Sequence, residues 1–425
     1  MSAMRSAIQS AHQSESKYFS ETTATVRGQL LTKWYDLVMS NIEDLSVLVC
    51  LENGKVLSEA RDEVSYAATF ISWFAAEAPR AYGDVIPSKT PNTMVLTLKE
   101  AVGDRQVASE LAVNPLIQKI SFTGSTRVGK TLAKLAAGTV KQLSLELGGN
   151  APFVVFEDAD LDLAVEGAIS SKFRCAGQTC VCTNRIYVQK NVAEEFSRKL
   201  IKQVEKLRCG SGLLEGSTQG LLINRAAVQK VQSQIEDAVS KGAQIRTGAV
   251  MPTELDQGFF FQPTVLSAVT ADVAVAKDET FGPLATIFVF EAEDEVVEMA
   301  NSTEFGLAGY LYSRDIDQVL RVSQKMQVGM CGMNTGKVSA PESPFGGIKQ
   351  SGYGTEGSKY SVTEYQTLKT VTIGNINHCD TYFQMSKLTI LAVEAHHNSI
   401  VFIFQAITSY QTHMCSSRRR TNFNK

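Results

Sequence analysis

The chain has 425 residues, too many for one ordinary hydrophobic core, so we expect several domains. Apolar residues make up 44% and charged residues 20%, and 41 basic residues nearly balance 44 acidic ones, a composition that disfavours a nucleic-acid partner. Eight irregularly spaced cysteines and only weak leader character over residues 1–20 indicate reduced thiols and a cytoplasmic protein, with the mitochondrial matrix as the alternative.

The first half of the chain changes from helical to alternating patterns. Apolar residues at helical spacing predict two long amphipathic helices over residues 25–80, followed by a strand over 93–98. From residue 107 onward short apolar strands alternate with helices, namely a strand over 116–122, a helix over 125–137 and a strand over 141–147. This alternation predicts an α/β sheet with helices on its faces.

The same alternation resumes after Cys180 and predicts a second α/β unit. The predicted strands cover residues 185–189, 284–290 and 307–313, and the helices cover 193–207, 226–240 and the surroundings of Val296. Residues 375–425 contain no glycine and four of the five histidines, and we expect a disordered tail there. Glu394 and the pair His396 and His397 interrupt its apolar stretch, so we expect no membrane span; metal binding by that pair is the alternative reading.

A reactive cysteine stands out in the window SSKFRCAGQTCVCTNR, where Cys180 follows Gly, Gln and Thr. A thiolate in a tight loop can attack a carbonyl carbon. His12 is the only histidine before residue 378, which argues against a Cys-His protease or acyltransferase and favours a carboxylate as the base. Cys175, Cys180 and Cys182 lack the spacing of paired zinc knuckles, so we predict no metal site.

Two further windows can supply a base and a phosphate site. Glu146 ends the predicted strand of SLELGGN, beside Gly148 and Gly149, where a carboxylate is placed for general-base work; a solvated strand-end Glu is the alternative. SFTGSTRVGK places a glycine and two hydroxyls between a strand and a helix, so amides at the helix start can meet a phosphate. A helix capped by Ser125 and Thr126 explains that window equally well.

Taken in order, FTGST, LELGGN, GQTC, ETFGP at 279–283 and PFGG at 344–347 followed by KQSG resemble the aldehyde dehydrogenase superfamily over most of residues 4–374. The window KFRCAGQTCVC, with Arg174 six positions before Cys180 and Cys182 two after it, is similar to the succinate-semialdehyde branch. Glutarate-semialdehyde dehydrogenases share much of this pattern. The resemblance implies an α/β fold with a Rossmann-type nucleotide domain, an α/β catalytic domain and small oligomerisation segments.

The resemblance also implies a mechanism, in which Cys180 forms a thiohemiacetal and then a thioester, and Glu146 activates the hydrolytic water. It implies NAD or NADP as cofactor, a homodimer or homotetramer, and succinate semialdehyde from GABA degradation as substrate. The residues expected to bind the cofactor are Gly124, Ser125, Thr126, Gly129, Glu279, Phe281 and Phe345. Arg174 and Ser339 match positions that bind the far carboxylate; pairing of Arg174 with an acidic neighbour and a turn cap by Ser339 are the alternatives.

Cys182 is a candidate for reversible oxidation. We expect a local strand that keeps Cys180 and Cys182 on one face, so that a disulfide between them would be strained. Redox silencing of Cys180 through this pair is a hypothesis, and it fails if peroxide-inactivated protein shows no thiol-reversible loss.

The chain departs from the family at Gly103 and Asp104, where TLKEAVG runs directly into DRQVASELAVN. On the order of seventy residues, about two βα units of the nucleotide sheet, are missing there, including the WNFP and KPSE motifs. We therefore expect a truncated nucleotide domain, exposed sheet edges and little dehydrogenase activity. A non-enzymatic subunit that interferes with full-length homologues and a cofactor-free thiol esterase are the alternatives.

We predict four regions. Residues 1–150 form the N-terminal helices and the truncated nucleotide domain, and residues 151–348 form the catalytic domain around Cys180. Residues 349–374 return to the nucleotide domain and supply the oligomerisation strand, and residues 375–425 are the atypical tail.

Overall fold

The computed structural model describes residues 21–101, 112–252 and 258–374, together with Ser10 and Tyr18. The predicted junction at residues 103–104 and the predicted tail over 375–425 lie outside these residues. Contacts divide the chain into two compact units, one built from Met1–Tyr82 and Glu100–Thr367 and the other from Gly83–Lys99 and Leu368–Lys425. The four-region division drawn from the sequence remains a prediction.

Between residues 24 and 77 the described chain forms three helices instead of the two predicted. They are α1 (Ala24–Ser40), α2 (Ile42–Asn53) and α3 (Leu57–Glu77), followed by a short 3-10 turn over Ala78–Arg80. Thr23 caps α1 with its hydroxyl, and Asn41 ends the helix. Gly54, at φ 82°, ends α2 in the left-handed conformation that glycine adopts without steric cost. Apolar residues keep their helical spacing through Asn41 and Gly54, so this spacing alone did not predict where one helix ends and the next begins.

The α/β alternation predicted after residue 107 is present. The strands of the first unit are β3 (Lys119–Thr123), β4 (Gln142–Glu146), β5 (Ala151–Val155), β6 (Thr183–Gln189), β7 (Gln244–Thr247), β8 (Thr264–Ser267), β9 (Leu284–Phe290), β10 (Phe305–Gly306), β11 (Ala308–Tyr312), β12 (Met330–Met333), β13 (Ile348–Lys349) and β14 (Gly352–Tyr353). The helices are α4 (Thr126–Ala136), α5 (Leu161–Lys172), α6 (Ala193–Val204), α7 (Arg225–Ser240), α8 (Ala274–Lys277), α9 (Glu293–Asn301), α10 (Ile316–Lys325) and α11 (Ser358–Thr363).

A seven-stranded sheet forms the larger core, with strand order β12-β11-β5-β6-β9-β8-β7. All neighbouring pairs run parallel except β7 and β8. Buried apolar side chains cover both faces in two clusters, as a parallel sheet requires. The amino ends of β5, β6 and β9 lie side by side, so the loops that precede these three strands meet at one edge.

A second, three-stranded sheet has the order β14-β4-β3, with β3 parallel and β14 antiparallel to β4. Its core is small, built from five buried residues, namely Ala112, Ile117, Ile120, Leu132 and Ala136. In the part of the chain that the structure describes, β3 has no strand on its outer side. Parallel strands normally lie inside a larger covered sheet, so this arrangement fits a nucleotide domain that has lost strands.

The second unit contains an antiparallel hairpin of β1 (Val85–Pro87) and β2 (Met94–Ala101), extended by β15 (Gln366–Ile373). The strand predicted over residues 93–98 is the core of β2. None of the helices within the described ranges is long and apolar enough to cross a lipid bilayer.

Candidate active site

Cys180 lies in a turn immediately before β6. The amide of Cys182 donates to the carbonyl of Thr179 at 3.0 Å, which closes the turn, and regular strand begins only at Thr183. The expected local strand through Cys180 and Cys182 is therefore wrong. Cys180 is partly buried, whereas Cys182 is buried and its Sγ lies 2.8 Å from the hydroxyl of Thr179.

The Cys180 thiol is held in its protonated form. Burial, and after it the charges of Glu146, Cys182 and Glu279, raise the pKa of Cys180 to about 12. Burial in apolar surroundings makes a thiol unreactive, and a thiolate needs compensating positive charge or hydrogen-bond donors. The nucleophile is thus in place but requires a further electrostatic change before it ionises.

Glu146 is the last residue of β4 and only 2% exposed. Within the described residues, neither of its carboxyl oxygens has a hydrogen-bond partner. Burial, followed by the charge of Glu356, raises the pKa of Glu146 to about 8. A buried carboxyl with open acceptor sites and a pKa near neutrality is suited to accept a proton from water.

Two glycines after Glu146 bring the backbone close to Cys180 and Glu279. A Cβ on Gly149 would lie 2.2 Å from the carbonyl oxygen of Cys180, so only glycine allows this approach. The amide of Gly149 donates to Oε1 of Glu279 at 2.9 Å. A Cβ on Gly148 would lie 3.2 Å from the other oxygen of Glu279 and 3.1 Å from the hydroxyl of Thr126. The Glu279 carboxylate and the start of α4 therefore face one narrow space.

The predicted phosphate loop has a mixed outcome. Ser125 occupies the cap position of α4 but its side chain makes no capping hydrogen bond. Thr126 accepts from the amide of Gly148 at 3.2 Å and donates to the carbonyl of Gln350 at 3.3 Å, so its hydroxyl ties three segments together. Gly124 donates its amide to the carbonyl of Glu146 at 3.0 Å.

Gly129 is buried on α4, where a Cβ would come within 2.4 Å of the Leu147 side chain. This glycine allows close packing of α4 on the segment that follows β4. A cofactor role of the four predicted loop positions stays a prediction.

The two predicted aromatic residues come from different segments, the loop whose Gly282 approaches Gly177 and the PFGG stretch. Phe281 has φ 52°, a strained value for a side chain with a Cβ, and its ring is 38% exposed. Phe345 and Cys180 both pack against the hydrophobic cluster of the large sheet. Phe345 also pairs with Glu356 through two backbone hydrogen bonds of 2.8 and 2.7 Å, which links PFGG to the neighbourhood of Glu146.

Arg174 and Ser339 approach the site from separate elements. Arg174 is exposed and begins the 3-10 turn Arg174–Gly177 that leads to Cys180. Ser339 is partly buried in the loop between β12 and β13, next to Val338, which packs on the same cluster as Cys180. Arg174 is thus tied to Cys180 by the chain itself, Ser339 only through its neighbour Val338, and the binding role of both stays a prediction.

Two charged residues at this site were not predicted from the sequence. Glu356 is partly buried, burial raises its pKa, and its charge acts on Glu146. Lys172 is fully buried at the end of α5 and donates to Oδ1 of Asn184 at 3.2 Å. Burial lowers the pKa of Lys172 to about 8, against the charges of Cys182 and Glu279. The other inward-facing residues of α5 are small or apolar, so a lysine among them could have been recognised from the sequence as unusual. Nothing in the sequence near Glu356 indicated that it lies close to Glu146.

The residues present fit the nicotinamide end of a dinucleotide better than its adenosine end. Glu279 offers a carboxylate beside the Gly148 cradle, and the amides at the start of α4 have no side-chain cap from Ser125. Among the described residues, no group of three or more His, Cys, Asp and Glu side chains could hold a metal ion.

Fold and site together define an α/β enzyme, with a thiol at the amino edge of the large sheet and a buried carboxyl at the end of β4 in the small sheet. The model described as the aldehyde dehydrogenase family matches residues 2–104 and 102–371, so the chain belongs to the aldehyde dehydrogenase family. It is an oxidoreductase by family, and the family is NAD(P)-dependent. The predicted family and fold class are confirmed.

Relatives with different acidic aldehydes in their names are similar to this chain. A 3-sulfolactaldehyde dehydrogenase of Pseudomonas putida is 44% identical over 435 residues, covering 87% of this chain and 89% of its own. A glutarate-semialdehyde dehydrogenase of Pseudomonas putida is 44% identical, covering 82% and 85%. The crystal structure of a succinate-semialdehyde dehydrogenase from Burkholderia pseudomallei matches with a TM-score of 0.84 and 42% identity, covering 87% and 89%.

The alignments also bear on the junction. The alignment to the first of these relatives runs over 435 positions, more than the 425 residues of this chain, so the relative has residues where this chain has none. The two stretches that match the family model meet at residues 102–104. That is where the sequence argument located a deletion.

Proposed function

We propose that this chain derives from an NAD(P)-dependent succinate-semialdehyde dehydrogenase of GABA degradation and that its deletion leaves little of that activity. The observation that carries the chemistry is the pairing of Cys180, in a closed turn, with Glu146, whose two buried oxygens lack partners within the described residues. Glutarate semialdehyde is the alternative substrate. It is a longer acidic aldehyde, and the same site accepts it if Arg174 and Ser339 bind its carboxylate.

In the proposed reaction the S–H bond of Cys180 breaks and its sulfur attacks the aldehyde carbon, forming a C–S bond while the carbonyl oxygen takes up a proton to give a thiohemiacetal. The nicotinamide cofactor, when bound, supplies the hydride acceptor. Glu146 then takes a proton from a water molecule that attacks the resulting thioester, and the acid leaves as the C–S bond breaks. Because burial raises the pKa of Glu146 to about 8, its ionised form is the minority at neutral pH, and only that form can take the proton from water.

Cofactor selection between NAD and NADP depends on contacts around the adenosine ribose. We assign the nicotinamide side to Glu279, Phe281 and Phe345, and the phosphate side to the start of α4 with Gly124, Ser125, Thr126 and Gly129. The KPSE motif, which in the family holds that ribose, is absent from the sequence. Weak binding of either cofactor is the expected consequence.

The far carboxylate of the substrate is assigned to Arg174 and Ser339. Arg174 lies in the turn that leads to Cys180, which keeps the anion-binding guanidinium and the nucleophile on one short segment. The relatives are named after aldehydes that also carry a carboxylate or sulfonate group, which supports an acidic aldehyde as the substrate class. A cytoplasmic homo-oligomer, with the mitochondrial matrix as the alternative compartment, completes the proposal.

One experiment tests the dehydrogenase activity and the effect of the deletion on it. The purified chain is incubated with succinate semialdehyde and NAD⁺ or NADP⁺, and absorbance of the reduced nicotinamide is followed beside that of a full-length relative. We expect turnover at least about 100-fold below the relative, because the Asn of the missing WNFP motif supplies an oxyanion donor. Turnover equal to the relative would overturn the proposed loss of activity.

The substrate assignment is tested separately through the thiol. Iodoacetamide labels Cys180, localised by peptide mass spectrometry, with and without added succinate or glutarate. We expect the dicarboxylates to slow labelling of the wild type but not of Arg174→Leu. Arg314→Leu is the matched control, because Arg314 is an exposed arginine paired with Asp160 at 3.4 Å, away from the Cys180 turn. Equal protection of all three chains would reject Arg174 as the carboxylate site.

A further inference from the structure

Three consecutive residues before the nucleophile have left-handed backbone conformations. Cys175 has φ 50° and ψ 38°, Ala176 has φ 53° and ψ 34°, and Gly177 has φ 75°. For residues with a Cβ this conformation costs about 1–2 kcal/mol each. Such a segment persists only when surrounding contacts over-determine it, and strain of this kind concentrates at functional sites. The contacts that hold Cys175 therefore decide where Cys180 lies.

The main contact comes from the first turn of α3, more than one hundred residues earlier. Oε1 of Glu59 accepts the backbone amide of Cys175 at 2.9 Å. The Glu59 carboxyl is largely buried, and its other oxygen has no hydrogen-bond partner within the described residues. Nζ of Lys55 lies 3.5 Å from the Cys175 sulfur and also forms an ion pair with Glu63. The N-terminal helices thus hold both the backbone and the side chain of Cys175.

Contacts on the other side stop the segment from relaxing. A Cβ on Gly177 would lie 2.1 Å from the carbonyl oxygen of Gly282, in the loop that carries Phe281. The amide group of Gln178 donates to the carbonyls of Cys175 and Leu221, both at 3.1 Å. The strained turn is held between α3 and the Phe281 loop, and the carboxylate that accepts the Cys175 amide is Glu59.

We infer that Glu59 is a positioning residue for the active site, which acts through the Cys175 amide to fix the turn carrying both Arg174 and Cys180. The inference assigns Glu59 no direct contact with substrate or cofactor. Its hydrogen bond sets the orientation of the peptide between Arg174 and Cys175, so it affects the direction of the guanidinium as well as the placement of the sulfur. The part that concerns Arg174 rests on the proposed function.

The test compares substitutions of Glu59 that keep or remove the oxygen that accepts the Cys175 amide. Glu59→Gln retains an oxygen that can accept the Cys175 amide, whereas Glu59→Leu has a similar size and none. Glu43→Gln is the matched control on the neighbouring helix α2, since Glu43 is exposed and its described hydrogen bonds and ion pair are with Arg61. The measurements are the iodoacetamide labelling rate of Cys180, its protection by succinate, and the urea midpoint of each chain.

We expect Glu59→Leu to change the Cys180 labelling rate at least about fivefold and to abolish succinate protection, which corresponds to losing one charge-assisted hydrogen bond. Glu59→Gln and Glu43→Gln should both retain wild-type labelling and protection. A folded Glu59→Leu chain that is labelled and protected like wild type would overturn the inference, and so would a Gln variant as defective as the Leu variant. Absence of protection in the wild type would reject the carboxylate site, while the labelling rate still tests Glu59.

A rescue variant covers the case in which Glu59→Leu does not fold. Cys175→Gly removes the steric cost of the left-handed conformation, so the double variant with Glu59→Leu needs less support from the missing acceptor. Recovery of soluble chain with wild-type labelling of Cys180 supports the inference. A double variant as defective as Glu59→Leu alone overturns it, because Glu59 would then stabilise the fold by another route.

Discussion

Replacing Glu146 with Gln should remove a pH-dependent loss of stability from this chain. The carboxyl is 2% exposed and its oxygens lack partners in the described residues, so ionising it inside the protein is costly. Moving its pKa from the ordinary 4.5 to about 8 corresponds to about 5 kcal/mol in favour of the protonated form. Because the folded-state pKa is raised, this stabilisation is complete below pH 4.5 and is lost as the pH rises through about 8.

The assay is urea denaturation of wild type and Glu146→Gln at about pH 5 and about pH 9. Wild type should lose up to about 4 kcal/mol of unfolding free energy relative to the variant across this interval, since Gln carries no ionisable proton. Glu298→Gln, which changes an exposed carboxyl on α9, serves as the control and should follow wild type. Parallel pH profiles for wild type and Glu146→Gln would refute the assignment of a strongly raised pKa to this carboxyl.

Other changes test the packing and the thiol. Gly149→Ala should lower the unfolding free energy by about 1–3 kcal/mol and alter Cys180 labelling, because its Cβ would lie 2.2 Å from the Cys180 carbonyl. Gly138→Ala, which meets no atom within 4 Å, should leave both unchanged; equal effects would contradict the close approach. Arg185→Met should lower the urea midpoint by the equivalent of about 2–5 kcal/mol, because the buried guanidinium donates to three backbone carbonyls, and an unchanged midpoint would disprove this. Labelling of Cys180 should accelerate about tenfold per pH unit up to pH 9, since its pKa is about 12, and a plateau below pH 9 would exclude a raised pKa.

The missing strands at the junction also predict low solubility of this chain. β3 has no outer neighbour among the described residues, and its sheet rests on a core of five buried side chains. An unpaired parallel strand over so small a core favours association between chains. We expect the purified chain to aggregate. If a full-length homologue keeps it soluble, the two chains associate, as an interfering subunit requires.

Local patterns in the sequence were sufficient for the family and the α/β alternation, and they supplied the candidate residues of the site. The five ordered motifs depend on short stretches, and the strand that ends at Glu146 is visible in its own apolar run. The scarcity of histidine favoured a carboxylate as the base from composition alone. These inferences need only residue types and their spacing.

Tertiary structure decided how those residues act. The left-handed turn at Cys175, the carboxyl of Glu59 that holds it, and the charge of Glu356 on Glu146 join segments separated by one hundred residues or more. The pKa values of Cys180 and Glu146 likewise depend on burial, which is set by how two sheets meet. No local pattern encodes these quantities, because a side chain's electrostatic environment is the sum of whatever the fold places around it.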